Sequence, residues 1–149
     1  MTIENRKARH HFEILETYEA GIELVGSEVK SVRAGKASLN EAFARVIRDK
    51  EIWLFNMHIT RYENADARLA PEENRSRRLL LHKKEIAKIA ERVKLERLAI
   101  TALKLYFNSR NRAKILIALA RGKKLHDKRE TIKERDVKIN LKRTIKRSV

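Results

Sequence analysis

Cysteine is absent from the 149 residues. That removes disulfides, thiolate nucleophiles and zinc–sulfur sites, and it fits a reducing compartment. Glycine occurs four times and proline once. The glycines stand alone, so the chain has neither a P-loop nor a G-x-G-x-x-G cradle for a nucleotide phosphate, and its turns must rely on Asn, Asp and Lys. Aromatic residues are 5% of the chain, too few to stack many bases. No run approaches the ~18 apolar residues of a membrane span. The first residues, Met1 to Arg9, hold no apolar h-region, so a secretory leader is not expected. Acidic residues are the minority, 20 Asp/Glu against 36 Lys/Arg, for a net charge of +16. An excess of that size points to nucleic acid first and to an anionic membrane second.

Catalytic signatures are missing as well. The five histidines are His10, His11, His58, His82 and His126. No two have helical metal-binding spacing, and neither H-E-x-x-H nor G-x-S-x-G occurs. Nothing marks a working pair of carboxylates. The expectation is a protein without catalysis, metal or cofactor.

What is present divides into a domain over residues 1–120 and a basic tail over 121–149. Strands alternating with period two are expected at Phe12–Tyr18 and Ile22–Gly26, joined by a turn at Glu19–Gly21. His10 and His11 are read as neighbours on a strand, pointing oppositely. Ser27 caps a short helix that Gly35 ends. Glu41–Arg48 and Glu51–Ile59 form a hairpin around Asp49 and Lys50. The second of these strands is apolar on both faces at its start, which suggests burial on both sides or a barrel strand with one face under a helix. Residues 60–78 read as a long loop. Ile86, Ile89 and Val93 recur at helical spacing between Lys83 and Arg97. Strands follow at Leu98–Asn108 and Arg112–Ala120, around the turn residues Asn108 to Asn111. Short strands with few helices and no β-α alternation predict a mainly β fold with flanking helices, a small antiparallel barrel closed or nearly so.

Cations gather in three places. Arg6, Lys7 and Arg9 precede His10. Arg75, Arg77 and Arg78 precede Leu79 and His82. The tail holds 12 Lys/Arg against 4 Asp/Glu, including Arg121, Lys123, Lys124, Lys128 and Arg129 around His126. Any one cluster alone reads as a solvated face; three together favour phosphate contacts. With so few aromatics, the partner expected is a folded RNA read by shape and backbone. Asp127 and Glu130 form a D-x-x-E capping box, the grammar of a helix start within the tail. That tail is either solvated and frayed or ordered on a nucleic-acid surface. Glu19 is an oddity in so basic a chain. A carboxylate accepts from base amino or sugar hydroxyl groups, but it equally suits a turn residue paired with a nearby arginine.

Several stretches carry a specific resemblance: Asn5-Arg-Lys-Ala-Arg-His10, Tyr18-Glu-Ala-Gly-Ile22, Gly26-Ser-Glu-Val-Lys-Ser-Val-Arg-Ala-Gly-Lys36, Leu79-Leu-Leu-His-Lys83, Leu103-Lys-Leu-Tyr-Phe107 and Arg121-Gly-Lys-Lys-Leu-His-Asp-Lys-Arg129. In this order, over nearly the whole chain, the sequence resembles the SsrA-binding protein family, also called small protein B. The resemblance implies an OB-like barrel and a bacterial, cytoplasmic, monomeric RNA-binding adaptor of trans-translation. Its partners would be the tRNA-like domain of transfer-messenger RNA and the 16S rRNA of the stalled ribosome. Asn5, Arg6, Lys7, His10, Glu19, Leu80 and His82 would then face RNA, and Arg9 and Arg78 from the clusters join them. Lys123, Lys124, His126, Asp127, Lys128 and Arg129 would serve the empty mRNA path and decoding centre. A structural ribosomal or nucleoid protein is the alternative. The chain departs from the family's pattern at Arg97 to Leu103, which lacks Gly and Pro. It departs again at Asn111, where a turn glycine is common and where asparagine best tolerates positive φ.

Overall fold

The computed structural model of the protein describes residues 2–62 and 71–122. In chain order the elements are β1 (Thr2–Glu4), α1 (Ala8–His11), β2 (Phe12–Ile22), α2 (Gly26–Arg33), β3 (Ala37–Ser38), β4 (Phe43–Ile47), β5 (Glu51–Phe55), β6 (His58–Ile59), β7 (Arg77–Leu80), α3 (Lys83–Glu96), β8 (Ala99–Phe107) and β9 (Ala113–Gly122).

Strand pairing runs β8-β4-β5-β7-β2-β9, and β9 pairs back onto β8, so six antiparallel strands close a ring. The mainly β, OB-like small barrel expected from the sequence is what forms. Closure leaves those six strands few free edges. β1 adds to the far end of β8, and β3 pairs with β6 in a separate two-stranded sheet.

Alternation fills the barrel. Ile52 and Leu54 of β5, Leu105 of β8 and Ile115, Ile117 and Leu119 of β9 all point inward and are fully buried. α3 closes one end with Ile86, Ile89 and Ala90, and α2 contributes Val32. On its outer face β5 is half-buried at Glu51, Trp53 and Phe55. Its cover is local: Phe55 stacks on Phe43 across the hairpin, with centroids 5.5 Å apart, and the Trp53 indole N–H donates to Glu51 at 2.9 Å.

Two bulges reshape the wall. The register with β9 slips between Ile14 and Glu16 in β2, and between Ala102 and Lys104 in β8. An extra residue reverses the parity of everything beyond it. Leu15 therefore packs on the main core, and Glu16 reaches Arg92 of α3 at 2.8 Å. Leu103 turns outward and joins Ala118, Ile14 and Leu116 in a second apolar cluster outside the barrel, roofed by Ala8 of α1.

Several local expectations change. His10 and His11 sit on a helical turn, because Ala8 must face that outer cluster. No turn interrupts Glu19–Gly21, and no second strand runs over Ile22–Gly26: β2 is unbroken from Phe12 to Ile22 and ends there, and Gly26 already belongs to α2. The N-cap of α2 is Val25, not Ser27, since Glu28 accepts the Val25 N–H at 3.0 Å. Arg77 and Arg78 lie in β7 and not in a loop. Gly35 does end α2, with φ of 77° and the paired bonds Gly35 N–H to Val32 and Lys36 N–H to Ser31; this is the Schellman arrangement.

Positive φ falls where the expected glycines are missing: Asn111 at 59° and Arg97 at 52°. Asn108 supports the first turn by accepting the N–H groups of Arg110 and Arg112. Arg97 ends α3 in the left-handed region with a Cβ that opposes it. Arg97→Gly should therefore raise stability by about 0.5–1 kcal/mol, read as a higher urea midpoint at unchanged slope.

Candidate nucleic-acid interface

The lead-in motif builds a platform. Asn5 is 5% exposed. Its backbone N–H bonds Leu103 O at 2.8 Å and its Nδ2 donates to Ala102 O at 2.9 Å. Ala8, 3% exposed, seats on Leu103 and Ala118. Asn5 and Ala8 thus clamp the segment to the barrel, and Arg6, Lys7, Arg9, His10 and His11 between and after them stay exposed.

Below that platform lies the outer face of β8, β9 and β2. Directly opposed residues share a face. One row is Glu19, Leu116 and Lys104; the next is Gly21, Lys114 and Tyr106. Glu19 is exposed and accepts a hydrogen bond from the Tyr106 hydroxyl. Its partner is thus a phenol, not the arginine expected of a turn residue. Burial, then that hydrogen bond and the carboxylate's charge, push the Tyr106 phenol up to about 12. Sequence reasoning put Lys104 and Tyr106 on one face of their strand but gave neither a role. Their alternation with Leu103 and Leu105 was the available signal.

β7 continues the wall. Leu80 pairs with Gly21, and a Cβ at Gly21 would meet the Leu80 side chain at 3.4 Å. Leu80 is nevertheless 47% exposed, one of three large hydrophobics so placed among the described residues. His82 is exposed at the N-cap of α3, where Glu85 accepts its backbone N–H at 3.2 Å. Arg78 is half-buried on the other side of Leu79, 3.7 Å from Glu51. The outer side of β8, β9, β2 and β7, with α1 above and His82 beyond, therefore unites Glu19, Leu80 and His82 with the exposed cations of the lead-in.

The cation cluster expected at Arg75–Arg78 is not a free patch. Glu28 takes Arg75 Nη2 at 2.6 Å on one oxygen and Arg77 Nη2 at 2.8 Å on the other. Arg77 is fully buried and donates besides to Met57 O, Arg75 O and Glu73 O. Burial pushes the Glu28 carboxyl up, but the two guanidiniums and the Val25 N–H more than offset it and hold it below the usual carboxylate range. These arginines lock the chain before β7 onto α2. Lys123, Lys124, His126, Asp127, Lys128, Arg129 and the Asp127–Glu130 capping box lie outside the described residues.

Among the described residues no group of three His, Cys, Asp or Glu is placed to hold a metal. Nor, among them, is any helix long and apolar enough to cross a membrane.

The family model described as SmpB protein matches residues 2–147. SsrA-binding protein of Chlorobaculum tepidum is 58% identical over 140 residues, 93% of this chain and 87% of that one. SsrA-binding protein of Desulforamulus reducens is 50% identical over 143 residues, 96% of this chain and 88% of that one. A solved structure described as "tmRNA-SmpB: a journey to the center of the bacterial ribosome" superimposes with a TM-score of 0.70 at 46% identity, covering 88% of this chain and 94% of the other. A family model spanning nearly the full length, relatives at half identity or better and a shared fold agree: the chain belongs to the SmpB protein family.

Proposed function

We propose that this protein is a cytoplasmic RNA-binding adaptor of trans-translation, without catalysis of its own. The barrel binds the tRNA-like domain of transfer-messenger RNA and delivers it to stalled ribosomes. Lys123, Lys124, His126, Asp127, Lys128 and Arg129 of the tail serve the mRNA path and decoding centre. The supporting observation is the shared placement of Glu19, Leu80 and His82 with the cations of α1 on one stretch of barrel wall. The cations supply phosphate contacts, Leu80 an apolar wedge, and Glu19 an acceptor for a base or ribose donor. Glu19 and Leu80 are fixed on strands, which suits a folded RNA more than a flexible single strand.

Glu19 provides the test. Removing a negative charge from a net +16 protein should tighten a purely electrostatic complex. A specific acceptor predicts the reverse: Glu19→Ala weakens binding about tenfold. Filter binding at matched salt measures it, with ribosomal RNA and duplex DNA as competitors. A tighter complex, or no preference among the three nucleic acids, would favour a static ribosomal or nucleoid protein instead.

A further inference from the structure

How Glu19 is aimed can be derived from its neighbours, given the reading of Glu19 as an RNA contact. A glutamate on a strand has three torsions and loses that freedom when it binds. Here the freedom is already restricted. Glu19 Oε2 accepts from the Tyr106 hydroxyl, and no cation among the described residues competes for the carboxylate.

The two residues are 87 apart in sequence and on strands that do not pair. β9 runs between them, so the side chains must bridge two inter-strand spacings, about 10 Å. Tyr106 does this from the row of Lys114, over β9, to the row of Leu116 and Glu19. Its own position is fixed. Thr2 of β1 pairs on its other side, and Lys104 Nζ lies 5.5 Å from its ring centroid. As its raised pKa dictates, the phenol keeps its proton throughout the physiological range.

We propose that Tyr106 is a positioning residue for RNA recognition: its hydroxyl holds Glu19 Oε2, so that Oε1 faces a hydrogen-bond donor of the RNA, either a base amino group or a ribose 2′-hydroxyl. The arrangement also selects register. Lys104 shares the row of Glu19 and Lys114 lies in the next row of the same face; both attract phosphate, while the carboxylate repels it. A phosphate is refused at that one point and a donor is accepted.

Tyr106→Phe, Glu19→Gln and the double variant, in the full-length chain, test the proposal against a transcript of the tRNA-like domain. Tyr106→Phe deletes one oxygen and should weaken binding about tenfold. Its melting temperature should stay near that of the parent, and its salt dependence should not change, because every phosphate keeps its cation. In the Glu19→Gln background the same change should cost nothing further. Glu19→Asp, which keeps the charge but withdraws it from the phenol, should behave like Tyr106→Phe. If Tyr106→Phe binds like the parent while Glu19→Gln loses affinity, the positioning role is wrong and the RNA contact survives. Additive losses also overturn it, since they would place Tyr106 in a separate contact. If Glu19→Gln binds like the parent, the underlying reading of Glu19 fails. RNA with single 2′-deoxy substitutions and RNA with inosine for guanosine separate the two donors. A Glu19 effect reproduced by neither substitution set would overturn the direct contact.

Discussion

A chain ending at Gly122 should bind the tRNA-like domain within about threefold of the full-length affinity and support no ribosome rescue. β9 runs through Gly122, which pairs with Phe12. Cutting there leaves the barrel ladder whole, whereas a cut after Ala120 would remove two of its pairs. The removed residues carry 11 Lys/Arg and 4 Asp/Glu, and diffuse charge of that kind contributes modestly to a complex built elsewhere. If the tail bound phosphates of transfer-messenger RNA, the logarithmic salt slope would fall by roughly one for each phosphate it no longer neutralises. A nearly unchanged slope is the expected result. Rescue is measured by peptide tagging on ribosomes stalled at a message end. Loss of RNA binding together with rescue would refute the division of labour between barrel and tail.

The largest effect on stability is expected at Glu28. Replacing it with Gln leaves the fully buried Arg77 without its counter-charge. Breaking such a pair costs about 3–5 kcal/mol, a large part of the roughly 5–15 kcal/mol that holds a domain together. Arg75, with 29% of its side chain exposed, can turn to water and suffers less. The pH dependence follows from the depressed carboxyl of Glu28. A group whose folded pKa lies below its unfolded one, near 4.3, adds stability that is present above the unfolded value. That stability is lost as pH falls through the folded value. The parent should therefore lose stability below about pH 4.3 more steeply than Glu28→Gln. Urea titrations across a pH series measure both. A combined Glu28→Leu and Arg77→Met change should recover only part of the loss: it removes both desolvation penalties but takes Arg77's donors away from the Met57, Arg75 and Glu73 carbonyls. A Glu28→Gln protein as stable as its parent would show that the triad holds nothing.

Much of the fold was legible in advance, for physical reasons. Period-two alternation marked β8 and β9, and the Asp49–Lys50 hairpin closes through Arg48 and Asp49, both at positive φ. Helical spacing marked α3 and its buried Ile86 and Ile89. The family resemblance pointed to the barrel. The misreadings share a cause, which is information held far away in the chain. α1 has four residues, too few to display a helical period, and its helicity serves a cluster whose members come from β2, β8 and β9. The bulge at Leu15 is invisible in composition; it turns Glu16 off the face of Ile14 and toward Arg92 of α3. Arg75 and Arg77 looked like RNA ligands because Glu28, their partner, lies 47 and 49 residues away. Glu19 and Tyr106 are joined across a strand that separates them, which no local pattern records. The residues of the candidate site were nameable from the sequence. Which of them are clamps, which are contacts and which are spent on one another was not.

The pairing of Phe12 with Gly122 has a mechanical meaning. Phe12 directly follows α1, so β9 ends beside the same helical turn that presents Arg9 and His10. A contact that shifts that turn therefore also shifts the last rung of the ladder, so the lead-in and the final strand move as one body.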